Sequence, residues 1–290
     1  MSEDEDPQPS KWSWLWDHRE ELAKLALKVR SWFSPQPGSP EAADAEARGR
    51  ILIIGPGGVG KSTLGKLLSG GSSHFDVLGH YDESISVEKY PLGDDPEVEI
   101  VVPPGQPHRR DAEWEPLLAD VSAGKTRGVI ILAAYGHHNH GIGEGASYKS
   151  HRLYSGNKKQ FLVDFLEDRR REEVAILTRL APHVRSGVGK LWVLTLVTKE
   201  DLWDPDSAAA NAFYCGGGEY DKLAQTLGGG GPRQVRHEVA MAALVVSNLV
   251  TGKGEMLVKT AAGYDQRRQA DSLIGLIQKL ELLREWEADR

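Results

Sequence analysis

The stretch best equipped for chemistry is residues 51–66, ILIIGPGGVGKSTLGK. Gly55, Gly60, Lys61 and Ser62 fill the pattern GxxxxGK[ST], directly after an apolar run and directly before a helix-forming one, as that pattern requires. The residue types follow from what a triphosphate needs. Gly55, Gly57, Gly58 and Gly60 let the backbone wrap past Val59 until successive N–H groups point at phosphate oxygens. The helix that opens at Lys61 adds the positive potential of its N-terminus. Lys61 is placed to reach the β- and γ-phosphates, the Ser62 hydroxyl to ligate Mg²⁺, and Thr63 to continue the cradle.

A second constellation follows the apolar run LWVLTLV, which leads into Thr198-Lys199-Glu200-Asp201. A carboxylate at a strand mouth accepts both the N1–H and the exocyclic amine of guanine. Adenine has no matching pair of donors and would leave Asp201 unpaired. The Lys199 stem can lie along the flat face of the base. A TKxD tetrapeptide alone is common on surfaces. Here its position carries weight, one strand before another apolar run, Met241–Ser247, that ends in Ser247-Asn248.

These residues resemble the P-loop GTPases, the Ras-like and translation-factor-related G domains. GPGGVGKS matches their phosphate loop. TKED matches their NKxD base box in the threonine-bearing form of dynamin-like members. VVSNL sits where their final SA-type loop touches the guanine O6. The resemblance covers roughly residues 50–250. It implies GTP and GDP as ligands, Mg²⁺ as cofactor, and a third strand ending in DxxG. There the aspartate holds Mg²⁺ through a water, the glycine amide senses the γ-phosphate, and a following glutamine orients the attacking water.

Residues 98–110, VEIVVPPGQPHRR, fit that frame with Gly105 and Gln106 retained and Val102 where the acid should be. The other reading is a plain strand end with a proline-rich turn. On the first reading Gln106 aligns a water, and Arg109 or Arg110 reaches the γ-phosphate; a solvated basic turn is the alternative for either arginine. HYDESISVEKY offers Ser84 and Ser86 where the family has a magnesium-binding threonine, and each is also an ordinary strand-edge hydroxyl. The resemblance thus implies a switch protein that binds Mg–GTP and hydrolyses it slowly. Replacement of the magnesium aspartate by Val102 leaves open a non-catalytic GTP-binding adaptor.

The elements that must hold these groups read as an α/β fold of P-loop NTPase type. The sheet is six-stranded and mostly parallel, with one antiparallel edge strand and helices on both faces. Strands are expected at Ile51–Ile54, Ser84–Tyr90, Glu97–Val102, Gly128–Ala133, Leu191–Val197 and Met241–Ser247, the second and third joined by a turn at LGDDP. Helices are expected after Lys61, over about 158–182 and over about 265–287, with glycine-rich loops at Gly216–Gly218 and Gly228–Gly231. Residues 1–49 divide into an acidic start, an amphipathic helix over 11–33 and a proline-bearing linker. Residues 50–290 form the nucleotide domain, with an insertion at about 135–160 before its third helix.

Bulk properties limit the alternatives. A net charge of −7 and a pI near 5.8 argue against nucleic acid as the partner. Cys215 is the only cysteine, which excludes a disulfide framework and points to a reducing, cytoplasmic setting. No apolar run reaches the roughly 18 residues of a membrane span, and no signal peptide is visible. The Trp-bearing helix mixes Asp17, Glu20 and Glu21 with its lysines. It therefore suits a protein effector or regulator, or its own domain, better than a lipid surface. Residues 136–140, GHHNH, lack the spacing of a metal site and read as a loop lining the switch. Lys158–Arg171 reads as a solvated helix face or a partner-docking surface.

Overall fold

The computed structural model describes residues 49–69, 86–91, 99–138 and 145–289. The Trp-bearing helix, Ser84 and His140 lie outside these residues. The apolar runs become strands: β1 (Arg50–Ile54), β3 (Glu99–Val102), β4 (Thr126–Ala133) and β5 (Lys190–Val197), with β2 (Glu88–Pro91) and β6 (Gln234–Met241) at the edges. They form one six-stranded sheet in the order β2-β3-β1-β4-β5-β6. Every pairing is parallel except that of β2 with β3. This is an α/β sheet of P-loop NTPase type.

The central strands are buried on both faces, which is why they read as continuous apolar runs rather than alternating ones. One face carries Ile51, Ile53, Ile100, Val102 and Leu194. It packs under Leu64 of α1 (Lys61–Ser69) and Leu276 of α7 (Gln266–Ala288). The other carries Leu52, Ile54, Val101 and Val193 and packs under α2 (Pro107–Ser122) and α3 (Lys158–Ser186). Since all strands but β2 run the same way, β1, β3, β4, β5 and β6 deliver their C-terminal ends to one edge. That edge is where open α/β sheets bind ligands.

Three corrections to the sequence reading arise here. The sixth strand is Gln234–Met241, not Met241–Ser247; residues 242–248 are a loop. Its alternating RHEVAM texture is that of an edge strand with one face on α7, where Glu238 receives Lys279 at 2.9 Å. Residues 107–122 form a helix that two prolines disguised. Pro107 stands in the first turn, where its missing N–H costs nothing, and Pro116 is carried inside. Short helices α4 (Glu200–Trp203), α5 (Ser207–Cys215) and α6 (Glu219–Gln225) fill the segment between the base box and the first glycine-rich stretch's far side. Too short to show periodicity, they bury Trp203, Tyr214 and Tyr220 instead.

A hairpin, β7 (Leu249–Val250) with β8 (Met256–Val258), closes a smaller apolar cluster. Leu249 and Leu257 meet Phe161 and Phe165 of α3 there, with Tyr148 and Tyr154 of the preceding loop packed alongside. The expected insertion is thus pinned down at residues 145–154 by the chain that follows the base loop. Lys158–Arg171 is not a purely solvated face. Lys158, Lys159 and Arg171 are exposed, but Arg169 is buried and paired with Asp168 and Glu172. No helix among the described residues is long and apolar enough to cross a membrane.

Gly128 of β4 stands beside Trp192 of β5, and a Cβ there would lie 2.0 Å from the indole ring. The ring is fully buried. Gly128→Ala is expected to lower the unfolding free energy by about 1–3 kcal/mol through overpacking, read as a lower urea midpoint. An unchanged midpoint would place the indole elsewhere.

Candidate functional site

The phosphate-loop residues lie together between β1 and α1. Gly58 and Gly60 take φ values of +76° and +95°, which side chains rarely adopt, and at Gly55 a Cβ would meet the Leu132 carbonyl at 2.5 Å. Gly57 and Val59 are buried, while Ser62 and Thr63 are half-buried at the start of α1. Lys61 is 7% exposed and donates to the Pro56 carbonyl at 2.9 Å. Burial pushes its ammonium down to about 7, the neighbouring Arg110 pushes the same way, and Glu88 and Glu172 pull back. An anion in the loop would restore the charge, so the donor set fits a phosphate chain.

Gly105 closes over this loop. A Cβ on it would meet Lys61 Nζ at 2.3 Å and the Gly57 nitrogen at 2.7 Å. Only a glycine can come this close. Arg110 holds it there, donating from Nε to the Gly105 carbonyl at 2.7 Å. The same guanidinium pairs with Glu172 of α3 and lies 5.5 Å over the Trp114 ring, whose indole N–H reaches the Pro104 carbonyl at 2.9 Å. Arg110 is therefore a clamp on the Pro103–Gly105 segment. Gln106 is buried at the head of α2, and Arg109 beside it is half-buried. Val102 is fully buried in the core face under α1.

The base-box residues emerge from β5. Thr198 places its hydroxyl 2.8 Å from the Val59 carbonyl and 3.0 Å from that of Ala133, tying three loops at one atom. Lys199 sits at φ 58°, ψ 36°, in the left-handed region, at the start of α4. Burial lowers its ammonium to about 8, while Asp201 pulls it up. Asp201 is wholly buried. One carboxylate oxygen accepts from the Ser247 backbone N–H at 3.0 Å and the Thr260 hydroxyl at 3.3 Å, whereas the other, Oδ1, has no hydrogen-bond partner. Desolvation raises this carboxyl to about 6, the two donors and Lys199 acting against it. A buried acceptor left unmade costs about 1–3 kcal/mol. Oδ1 is therefore open to a donor from outside the chain.

Ser247 is thus tied to Asp201 by its backbone, with its side chain exposed, while Asn248 turns away to accept from the Thr260 N–H at 2.9 Å. Leu244 was missed by sequence reasoning. Its methyl comes within 3.4 Å of where a Gly60 Cβ would be, so it walls the loop. Gln269 of α7 fixes that loop through the Ala243 carbonyl at 3.0 Å. Thr260 had no signal at all, since it arrives from beyond the β7–β8 hairpin.

His137 and His138 do not converge. His137 Nδ1 lies 3.0 Å from the Tyr135 carbonyl, and burial lowers its imidazole to about 4. His138 lies 3.9 Å from Glu173. Glu173 of α3 gathers the Ala134 N–H at 2.8 Å, the Gly136 N–H at 3.1 Å and the Tyr214 hydroxyl at 2.6 Å. It is an internal cap for the loop after β4. Tyr135 and Lys199, in adjacent loops, are the non-glycine residues with positive φ among the described residues. Such strain concentrates at binding sites. Among the described residues, no three His, Cys, Asp or Glu side chains form a metal cluster.

No protein-family model matches this chain, and no curated protein matches it. Among solved structures it is similar to the signal recognition particle receptor SRb-GDP from Chaetomium thermophilum. That alignment has 15% identity over 68% of this chain and 89% of that one, with a TM-score of 0.34. It is also similar to the Arl6 BBS3 small GTPase from Trypanosoma brucei with bound GppNp. There the identity is 17% over 66% of this chain and 87% of that one, with a TM-score of 0.31. Both likenesses are distant, and the fold assignment rests on the strand order itself.

The Thr198 hydroxyl makes a sharp test of how the loops are held. Thr198→Val keeps the shape and removes the hydroxyl donor from the buried Val59 carbonyl, while the Ala133 carbonyl keeps the Thr198 N–H at 2.7 Å. It is expected to cost about 1–3 kcal/mol of stability, measured by urea unfolding. No loss would mean that the bridge contributes nothing.

Proposed function

We propose that this protein is a guanine-nucleotide-binding switch. It holds Mg–GTP in the Gly55–Thr63 loop, reads the base with Asp201 and Lys199, and hydrolyses GTP slowly to GDP and phosphate. The observation that carries the reading is Asp201, a wholly buried carboxylate with one oxygen satisfied and the other partnerless beside a desolvated lysine. A guanine edge offers an N–H donor to that atom and a second to the same carboxylate. The lowered Lys61 ammonium likewise favours an anion at the loop. Magnesium would sit at the Ser62 hydroxyl and neutralise charge on the phosphate oxygens.

In this reading the chain's own groups divide the work. Backbone N–H groups of the loop and Lys61 position the phosphates. Gln106, buried next to Gly105, orients water, and Arg109 stands one turn away. Gly105 must lift from Lys61 before a γ-phosphate can enter, and the Arg110–Glu172 clamp opposes that lift. Slow turnover follows from that closed arrangement and from Val102, which supplies no carboxylate. A protein effector or regulator that loosens the clamp would be the partner, in a cytoplasmic setting. The same two observations also support a second reading, a non-catalytic adaptor in which GTP only fixes the position of Gly105.

Single-turnover hydrolysis by purified protein separates the two. Measurable GDP formation that Gln106→Leu slows, with GTP affinity kept, supports the enzyme; no turnover, with tight binding, supports the adaptor. Lys61→Ala is expected to abolish tight triphosphate binding with little change in melting temperature, and normal GTP binding by that variant would remove the loop from the account.

The pH profile gives an independent check. Asp201 accepts base donors only when ionised, and its folded-state pKa lies near 6 against an ordinary 3.8. GDP affinity is therefore expected to peak between about pH 6 and 7, falling up to about tenfold per pH unit below 6 as Asp201 protonates, and also falling above 7, where the free-state Lys61 ammonium loses its proton. Asp201→Asn should flatten the acid limb of this profile and erase the guanine preference. A flat profile in the parent would rule out base recognition by this carboxylate.

A further inference from the structure

The third strand lacks an acid at Val102, but its neighbour carries one on the same rung. Glu88 pairs directly with Val102 across the antiparallel β2–β3 ladder. Directly opposed residues send their side chains to the same face, at Cβ separations of about 4.5–5.5 Å. That face is the one covered by α1. Val102 packs there against Leu64, and Tyr90, two residues after Glu88, lies so near Gly65 that a Cβ would meet its ring at 2.6 Å. Glu88 therefore faces the first turn of α1, which carries Lys61 and Ser62.

Hydrogen bonds complete the connection. The Tyr90 hydroxyl donates to Glu88 Oε2 at 2.5 Å and accepts from the Ser62 hydroxyl. The chain Ser62–Tyr90–Glu88 thus joins the would-be metal ligand to a carboxylate through one phenol. The charge on Glu88 is felt at Lys61, which it pulls towards its ordinary state.

We propose that Glu88 is the carboxylate that anchors magnesium from outside its inner ligand set. It would accept from a metal-bound water and so stand in for the acid missing at Val102. Tyr90 holds Glu88 and Ser62 in register before the metal arrives. The chemistry suits the ion, since Mg²⁺ keeps several waters and is bound through few protein ligands. A glutamate is one methylene longer than an aspartate, which helps to span the roughly 4.8 Å to the next strand. The inference rests on the nucleotide reading above. A purely structural Glu88, serving only Tyr90 and Lys61, is the competing role.

Glu88→Gln separates them, because it keeps the shape and an acceptor for Tyr90 while removing the charge. Two readouts apply to the full chain: the dissociation rate of fluorescent GDP against free Mg²⁺, and Mn²⁺ binding to the GDP complex by electron paramagnetic resonance. Glu88→Gln is expected to raise the metal concentration for half-saturation about 10–100-fold, with a much smaller change in GDP dissociation in EDTA, where only its influence on Lys61 remains. Adding Val102→Asp to Glu88→Gln should recover tight metal binding. Glu88→Asp should lose less than Glu88→Gln. Parent-like metal midpoints in both Glu88 variants, with GDP bound, would overturn the inference and leave the nucleotide reading intact. A parent that binds no GDP even in EDTA would instead overturn the nucleotide reading, and this inference with it.

Discussion

One hydroxyl carries much of the site's geometry. Thr198 ends β5 and places its oxygen within hydrogen-bonding reach of the carbonyls of Val59 and Ala133. A parallel sheet delivers its strand ends to one edge with carbonyls that no further strand pairs. Loops must satisfy them there, or they remain buried and unmade. At this edge the phosphate loop, the loop after β4 and the base box are fastened to each other rather than merely adjacent. Trp203 reinforces the joint by donating to the Thr198 carbonyl at 2.8 Å. The position of Asp201 relative to Gly60 follows from that fastening.

Around this joint the protein gathers charges that it does not fully neutralise. Lys61, Lys199 and Asp201 are each shifted by burial towards their uncharged forms. Burying charge without partners is costly, so such groups persist where a ligand supplies what is lacking. Glu173 shows the contrast. It is equally buried and raised to about 7, yet two backbone N–H groups and a tyrosine hydroxyl surround it. It holds a loop and needs nothing from outside. Arg110, with Glu172, Trp114 and the Gly105 carbonyl about it, is likewise satisfied internally.

The glycine turn between β1 and α1 and the core strands were legible because their signals are local. Glycine spacing before Lys61 and unbroken apolar runs need no knowledge of distant contacts. The sixth strand was misplaced because Gln234–Met241 is an edge strand with a mixed surface, whereas the apolar texture just after it comes from a loop in which Ala242 and Leu244 pack in the core with α7. Helix α2 was hidden because Pro107 reads as a breaker, although it occupies the one turn where proline is harmless. Glu88 and Thr260 had no sequence signature, and Arg110 was marked only as a candidate to reach the γ-phosphate, not as a clamp on Gly105. Their roles come from strand register, from a hairpin that returns to the base loop, and from a long helix crossing behind Gly105.

The central claim is that the unsatisfied oxygen of Asp201 waits for a guanine edge. Competition between GDP and ADP for nucleotide-free protein, at fixed Mg²⁺ and pH 7.5, tests it most directly. The account predicts that GDP binds at least about a hundredfold more tightly, the discrimination expected when a buried carboxylate is paired by one base and stranded by the other. Equal affinities, or tighter binding of ADP, would contradict it.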